Sequence, residues 1–359
     1  MPTECIQDSF AFGTVDGREV VGKFDGGVIS SDAGALLLGQ ASRATGIVKR
    51  FARCFIDARA PEAIEHAVET LVGQRIFGLA LGYEDLNDHD QLRHDPVFAV
   101  LAGKPAAGRK DCAPLAGKST LNRLELSRQD QTTRYCRIGH DGQAIERLPV
   151  TLFLEAQPQP RGPIILDLDA THSILHGEQE GRFFSGFYDC YCYLPLFIFC
   201  GRHLLAAKLR RASGDAADGA LEEVQRIVGQ IRERWPSVAI WLRADSGFCR
   251  DDMMTWCEEN RVDYVFGLAR NKRLARQIGR ELRTAKRNAV RTSAPARVYK
   301  ELRYATLETW SRKRRVVAKA EWTGGEANPR FVVTSLGLDR AKTRFLYEKV
   351  YCQRGEMVG

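Results

Sequence analysis

Asp167 and Asp169 stand two apart in an apolar run, Ile164 to Ala170, and Asp245 ends a second run, Val238 to Ala244, just before Ser246-Gly247. Residues two apart share a strand face, so one face presents both Asp167 and Asp169. A carboxylate on a core strand is costly unless it is paired or holds a metal. If the two runs are neighbouring strands, Asp169 and Asp245 converge. Two carboxylates held that close repel unless one is protonated or a divalent cation lies between them. Oxygen-only ligands select Mg²⁺ or Mn²⁺ over zinc. A single strand-end acid more often caps a helix or meets solvent; the pair, in the strand order described next, points to a site.

Other candidates for chemistry fall away. Gly117-Lys118-Ser119-Thr120 looks like the end of a phosphate-binding loop, but Cys112 occupies the position that needs glycine and no strand precedes it. His172 and His176 lack the glutamate of a zinc-protease helix and are read as solvent-facing or as supporting a ligand. The cluster Asp85, Asp88, His89, Asp90, His94 and Asp95 is read as helix ends and turns, and no GxSxG elbow is present. The ten cysteines contain no CxxC pair, and Cys190 and Cys192 have no further ligand nearby. They are expected to be buried thiols of a reducing compartment.

The elements that must position the aspartates follow a Pro-rich linker, 157–163. Strands are expected at Ile164 to Ala170, Tyr191 to Cys200 and His203 to Arg211. A helix from about Asp218 to Trp235 follows, with Leu221, Val224, Val228, Ile231 and Trp235 stepping by three and four along one stripe, and Pro236 ends it. Next come the strand ending at Ala244, a helix opening on Asp251-Asp252 and ending near Asn260, and a strand from Tyr264 to Leu268. Three consecutive strands, then helix, strand, helix, strand, is the order of a ribonuclease H-like mixed α/β sheet with an antiparallel half. Residues 1–158 read as a mainly helical N-terminal domain, with helical spacing from Glu62 to Leu81, after a Gly- and Ser-rich opening at 26–34.

At 359 residues and 44% hydrophobic, the chain can bury a large core, which excludes global disorder. No apolar run approaches the roughly 20 residues that cross a bilayer. The N-terminus lacks the pattern of a secretory signal, so a soluble, intracellular protein is expected. The net charge is +8, but residues 270–319 alone carry +14, leaving −6 on the rest. Such a block is either a solvated surface or a phosphate-contacting one. Arg312, Lys313, Arg314 and Arg315, between strand-like segments, would put several cations on one hairpin.

Four segments together resemble insertion-sequence transposases of the DDE type: Leu166-Asp167-Leu168-Asp169-Ala170-Thr171, His176 to Gly181, Cys192 to Leu196, and Arg243-Ala244-Asp245-Ser246-Gly247-Phe248. The most similar group carries a Tyr-x2-Arg-x3-Glu-x6-Lys signature, and Gly82 to Asp85 and Leu92 to Pro96 are similar to it too. The resemblance implies a catalytic domain over 163–359, with Asp169 and Asp245 as the first two catalytic, metal-binding acids and Asp167 as a neighbour. It implies a basic, strand-rich insertion at about 271–337 that contacts DNA, where Arg312 to Arg315 fall, and Tyr351 and Arg354 holding DNA near the cut phosphate. Position 358, where the signature has glutamate, holds Val358, and the signature's Lys has no counterpart; Glu356, two residues early, is the nearest acid. The expectation is therefore a truncated or frameshifted transposase with weakened metal binding and strand cleavage. The implied cofactor is Mg²⁺ or Mn²⁺, and the partners are insertion-element ends and target DNA. A homodimer on DNA and a bacterial cytoplasmic, nucleoid-associated location are also implied, with no membrane. The N-terminal domain would recognise element ends or assist assembly. Two alternatives stand beside this: a catalytically inactive DNA-binding derivative, and a metal-dependent nuclease of the same fold.

Overall fold

The runs that carry the three aspartates are adjacent strands of one large sheet in the computed structural model. The model describes residues 10–15, 18–22, 30–108, 110–129, 132–133 and 137–357, with only the backbone described at 10–22 and 355–357. The Gly-rich opening at 26–34 lies mostly outside the described residues. The chain forms two units, 1–148 and 149–359.

The second unit is built on β1 (Ile164–Ala170), β2 (Leu196–Cys200), β3 (His203–Lys208), α1 (Ala220–Arg234), β4 (Ile240–Ala244), α2 (Asp251–Glu259) and β5 (Val262–Leu268). The strand order is β3-β2-β1-β4-β5, antiparallel among the first three and parallel from β1 to β5. This is the ribonuclease H-like order, and it follows from the connections. A two-residue turn joins β2 to β3, which forces an antiparallel pair, whereas α1 and α2 are long enough to carry the chain back for parallel strands.

After β5 come α3 (Gly279–Thr292), β6 (Ala296–Tyr304), β7 (Arg314–Thr323) and β8 (Arg330–Thr334). β8 pairs with β5, and β7 and β6 continue outward from it, so the strands of the basic region extend the same sheet.

One sheet face is covered by α1 and α2. Leu166 and Leu168 of β1 and Leu242 and Ala244 of β4 pack there with Val224, Ile227 and Ile231 of α1 and Met254 and Cys257 of α2. Each large apolar side chain removed from water contributes about 1.5–3 kcal/mol, so this layer holds the strand ends in place. The other face carries Val265, Val317 and Val332, covered by Leu346, Tyr347 and Val350 of a C-terminal helical segment. That segment is irregular: an α-turn at Thr343–Phe345, a π-helix at Leu346–Tyr351 and a 3₁₀-helix at Cys352–Met357.

The expected strand from Tyr191 to Cys200 is in fact two. Cys190–Tyr193 belongs to a separate three-stranded sheet with Ser173–Ile174 and Phe183–Ser185, and β2 begins only at Leu196. Pro195 lies between them and has no N–H to give a ladder. The Pro-rich stretch at 157–163 follows a helix, Gly142–Ala156, whose Val150, Phe153 and Leu154 already belong to the second unit's core.

The first unit packs short helices, among them Ala35–Thr45, Val68–Ala80 and Lys118–Glu125, around Leu71, Phe98, Leu115 and Leu121. Asp85 and Asp95 cap helix starts there: Asp95 Oδ1 accepts from Val97 N at 2.7 Å. His89 is buried against Gln74 and Phe98. Asp85, Asp95 and His89 thus serve the fold of this unit.

Candidate active site

β1 and β4 run in register, Asp167 beside Arg243 and Leu168 beside Ala244. Leu168 and Ala244 point into the α1–α2 layer, and strand side chains alternate, so Asp167 and Arg243 point to the opposite face. The same alternation brings Asp169 and Asp245, the next residues along, to that face side by side. Neighbouring strands are about 4.8 Å apart, which sets the backbone separation of the two aspartates.

The two rungs differ in kind. Asp167 is buried and bonded by both arms of Arg243, with Nη2 at 2.7 Å from Oδ2, and Arg243 Nη1 donates to the Val350 carbonyl at 2.7 Å. Burial pushes the Asp167 carboxyl up and Arg243 pulls it down. Asp167 therefore fastens β1 to β4 and, through Arg243, to the C-terminal segment, with both of its oxygens engaged by the guanidinium.

Asp169 and Asp245 are half-buried. Asp169 Oδ2 accepts from the Thr171 hydroxyl, and its Oδ1 lies 3.9 Å from Arg354 Nη1. Asp245 Oδ1 accepts from Gly247 N at 2.7 Å, which forms the sharp turn after β4. Burial, followed by the charges of Asp245 and Asp169, pushes the Tyr188 phenol up.

The C-terminal segment supplies the remaining wall. Tyr351 packs so closely on β5 that a side-chain carbon at Gly267 would lie 2.6 Å from its hydroxyl and 2.9 Å from Ser246 N. Gly267 therefore lets the Tyr351 ring reach the turn that holds Asp245. Burial pushes the Tyr351 phenol up; Arg354 opposes the rise and Asp245 adds to it. Arg354 sits over the Tyr351 ring at 6.0 Å and faces Asp169. A cavity of about 170 Å³ opens beside Asp245, lined by Ser246, Gly267, Arg270, Arg330, Tyr347 and Tyr351. A larger one, about 1100 Å³, opens at the start of β1 beside the Pro-rich stretch and includes neither Asp169 nor Asp245.

A divalent cation fits the pair. The donors are hard carboxylate oxygens, and Asp245 Oδ2 accepts no hydrogen bond from a described residue. Arg354 Nη1 stands 3.9 Å from Asp169 Oδ1, and no ion pair to Asp245 is formed among the described residues. Among the described residues no three His, Cys, Asp or Glu side chains converge as a cage. Glu356 lies in the 3₁₀-helix Cys352–Met357 without a described side chain, and Val358 lies outside the described residues.

The basic block divides in two. Arg312 and Lys313 are exposed, Arg312 bonding Glu258 at 2.9 Å. Arg314 and Arg315, expected on a DNA-facing hairpin, are buried instead. Arg314 is held by Asp251 at 2.5 Å and Glu258 at 2.8 Å from α2, and Arg315 Nη1 donates to the Leu336 carbonyl at 2.6 Å with Glu301 beside its Nη2. A buried guanidinium needs such partners, and these two spend their donors inside the fold. The exposed charge is on α3, where Arg280, Arg283, Arg287 and Arg291 step by three and four along one side, opposite the buried Ala285 and Ala289. None of the four forms an ion pair with a described residue. Residue spacing carried this stripe, and sequence reasoning missed it by treating the block as hairpin.

No curated protein sequence matches the chain. Among solved structures it is similar to the piggyBac transposase in a synaptic complex with hairpin DNA, at 13% identity and a TM-score of 0.40, over 89% of this chain and 66% of that one. The family model for the transposase DDE domain, group 1, matches residues 12–358. With that match running through both aspartate-bearing strands and the C-terminal segment, the chain belongs to the group 1 family of transposase DDE domains.

Proposed function

We propose that this chain is a DNA transposase that cuts and joins DNA strands at the Asp169–Asp245 notch. The observation that supports the reading is the register of β1 and β4, which pairs Leu168 with Ala244 and so leaves Asp169 and Asp245 as the next residues of neighbouring strands, with Arg354 near Asp169 and Tyr351 on Gly267. Asp169 and Asp245 would hold the divalent metal on which the family depends, and hard oxygen donors favour Mg²⁺ or Mn²⁺. A bound divalent metal supplies charge stabilisation to the attacking and leaving oxygens of phosphoryl transfer.

The chain's own residues set the geometry. Arg354 offers donors to a phosphate oxygen beside Asp169, and the Tyr351 hydroxyl, wedged on Gly267, fixes the strand relative to Asp245. The exposed arginines of α3 neutralise backbone phosphates without reading bases. Residues 1–158 would recognise element ends or assist pairing of two copies on DNA, and 163–359 would cut, with 271–337 holding the DNA. A homodimer bound to element ends and target DNA, in the nucleoid of a bacterial cytoplasm, completes the reading.

The test is nicking of supercoiled plasmid or of a labelled duplex with Mg²⁺ and with Mn²⁺. Cleavage abolished by Asp169→Asn and by Asp245→Asn is the expected result, and cleavage that survives both substitutions overturns the proposal. Loss with Glu356→Ala would make Glu356 the third acid. Joining of the cleaved 3′ end to target DNA separates a transposase from a nuclease. The identity of Val358, at the signature's third acid, favours one second reading: a DNA-binding derivative without cleavage, whose salt-dependent binding is unchanged by Asp169→Asn.

A further inference from the structure

Between β1 and β2 the chain leaves the large sheet for the small one made by Ser173–Ile174, Cys190–Tyr193 and Phe183–Ser185. Exposed aromatic rings gather there. Phe183, Phe184, Phe187 and Tyr191 are exposed, and among the described residues the only other Phe, Tyr or Trp so exposed is Phe345. Phe187, at the turn after Phe183–Ser185, is 88% exposed. Four exposed rings fall within nine residues: Phe184 and Tyr191 pair across the strands and meet at 5.4 Å, and Phe183 takes the other face of its strand.

The patch adjoins the aspartate notch. Phe187 meets Tyr188 edge-on at 4.8 Å, and Tyr188 lies flat on His172, with centroids 4.2 Å apart and planes 15° apart. His172 is three residues beyond Asp169, and the Tyr188 phenol feels the charges of both aspartates. Arg182 stands 4.8 Å over the Tyr191 ring, placing a cation on the same flap. Flat exposed rings interleaved with a cation, running outward from a site that takes a phosphodiester, match the chemistry of base stacking.

We propose that the flap 183–191 is a nucleobase-stacking site, in which Phe187 takes the face of an unpaired base of the strand lying at the Asp169–Asp245 notch. The inference rests on the reading of that notch as a phosphodiester site. Stacking tolerates any base and selects unpaired over paired DNA, because a base inside a duplex has no free face. Phe187 is so exposed that its truncation leaves the core untouched.

The experiment uses the full chain in EDTA, with single-stranded and duplex oligonucleotides carrying 2-aminopurine, whose fluorescence is quenched by stacking. The wild-type chain is expected to quench the single strand, and Phe187→Ala to remove the quench and weaken single-strand binding about tenfold. Duplex binding should change less than about twofold, and Phe187→Trp should retain both signals. Unchanged quenching in Phe187→Ala, or equal losses on single strand and duplex, overturns the stacking site. So does a fall in oligomeric mass in Phe187→Ala with quenching intact, which would make the patch a contact between copies. A wild-type chain that binds duplex but shows no Phe187 effect sinks only this inference; one that binds neither form sinks the proposed function with it.

Discussion

On one strand pair, the Asp167–Arg243 rung and the residues two further along, Asp169 and Asp245, take the same side of the sheet by alternation. The inner rung lies under the C-terminal segment, where Arg243 also binds the Val350 carbonyl, and it is electrically closed. The outer rung lies where the strands end and the turn at Ser246-Gly247 leads the chain away, and it carries two like charges, with Arg354 at 3.9 Å from Asp169. The same residue type on the same strand is thus a fastener in one place and a candidate ligand in the other. The difference lies in what the neighbouring strand puts opposite.

Swapping charge on the outer rung should break function and spare the fold. Asp169→Asn or Asp245→Asn is expected to lower metal-dependent cleavage at least about a thousandfold, more than 4 kcal/mol of transition-state stabilisation. Thermal unfolding should hold or rise, because a like-charge repulsion is removed. The inner rung should behave the opposite way. Arg243→Ala leaves Asp167 buried without a partner, a loss of about 3–4 kcal/mol that calorimetry would record as a lower Tm. The double replacement Asp167→Leu with Arg243→Met should recover most of it, since apolar side chains of similar volume often replace a buried pair at little cost. If Asp167→Asn alone abolished cleavage with the Tm intact, the division between the rungs would be wrong.

The basic region contains a parallel contrast. Replacing Arg280, Arg283, Arg287 and Arg291 by alanine should reduce the slope of log binding constant against log salt by about 3 to 4 and weaken duplex binding about a hundredfold, with stability nearly unchanged. Arg314→Ala should leave the slope alone and destabilise the fold, since Asp251 and Glu258 lose their partner. Titrating both variants against duplex DNA at several salt concentrations sharpens the comparison.

The order of strands was legible because each connection announces itself: Gly201-Arg202 is too short for anything but a hairpin, and α1 carries an apolar stripe and a proline stop. From that order the adjacency of the strands that end at Ala170 and Ala244 followed. The partner of Asp167 was not legible, since Arg243 is 76 positions away and strand alternation says which face a side chain takes but not what it bonds. Arg314 and Arg315 failed for a related reason. A run of four cations reads as surface, yet burial was decided by acids on α2, some 60 residues earlier, and on β6. The arginine stripe of α3 was readable from its three-and-four spacing; the split at Pro195 was readable from the proline. Gly267 interrupts an apolar strand, a sign of close backbone approach, but what approaches is set by a segment more than 80 residues later.

That approach provides the finest test of how the outer rung is held. Gly267→Ala puts a methyl group 2.6 Å from the Tyr351 hydroxyl, so the ring must retreat by about 1 Å to reach ordinary contact distance. Neither aspartate is altered, and the α3 stripe lies elsewhere on the unit. A positioning role for Tyr351 therefore predicts cleavage slowed about tenfold, with duplex affinity and salt slope kept. Tyr351→Phe, which removes the hydroxyl and relieves the clash, should restore part of the rate in the Gly267→Ala background if crowding is the cause. Equal loss in the single and double variants would instead place the damage at Ser246 N and the Asp245 carbonyl carbon, the other atoms the new methyl meets, and so in the turn that aims Asp245.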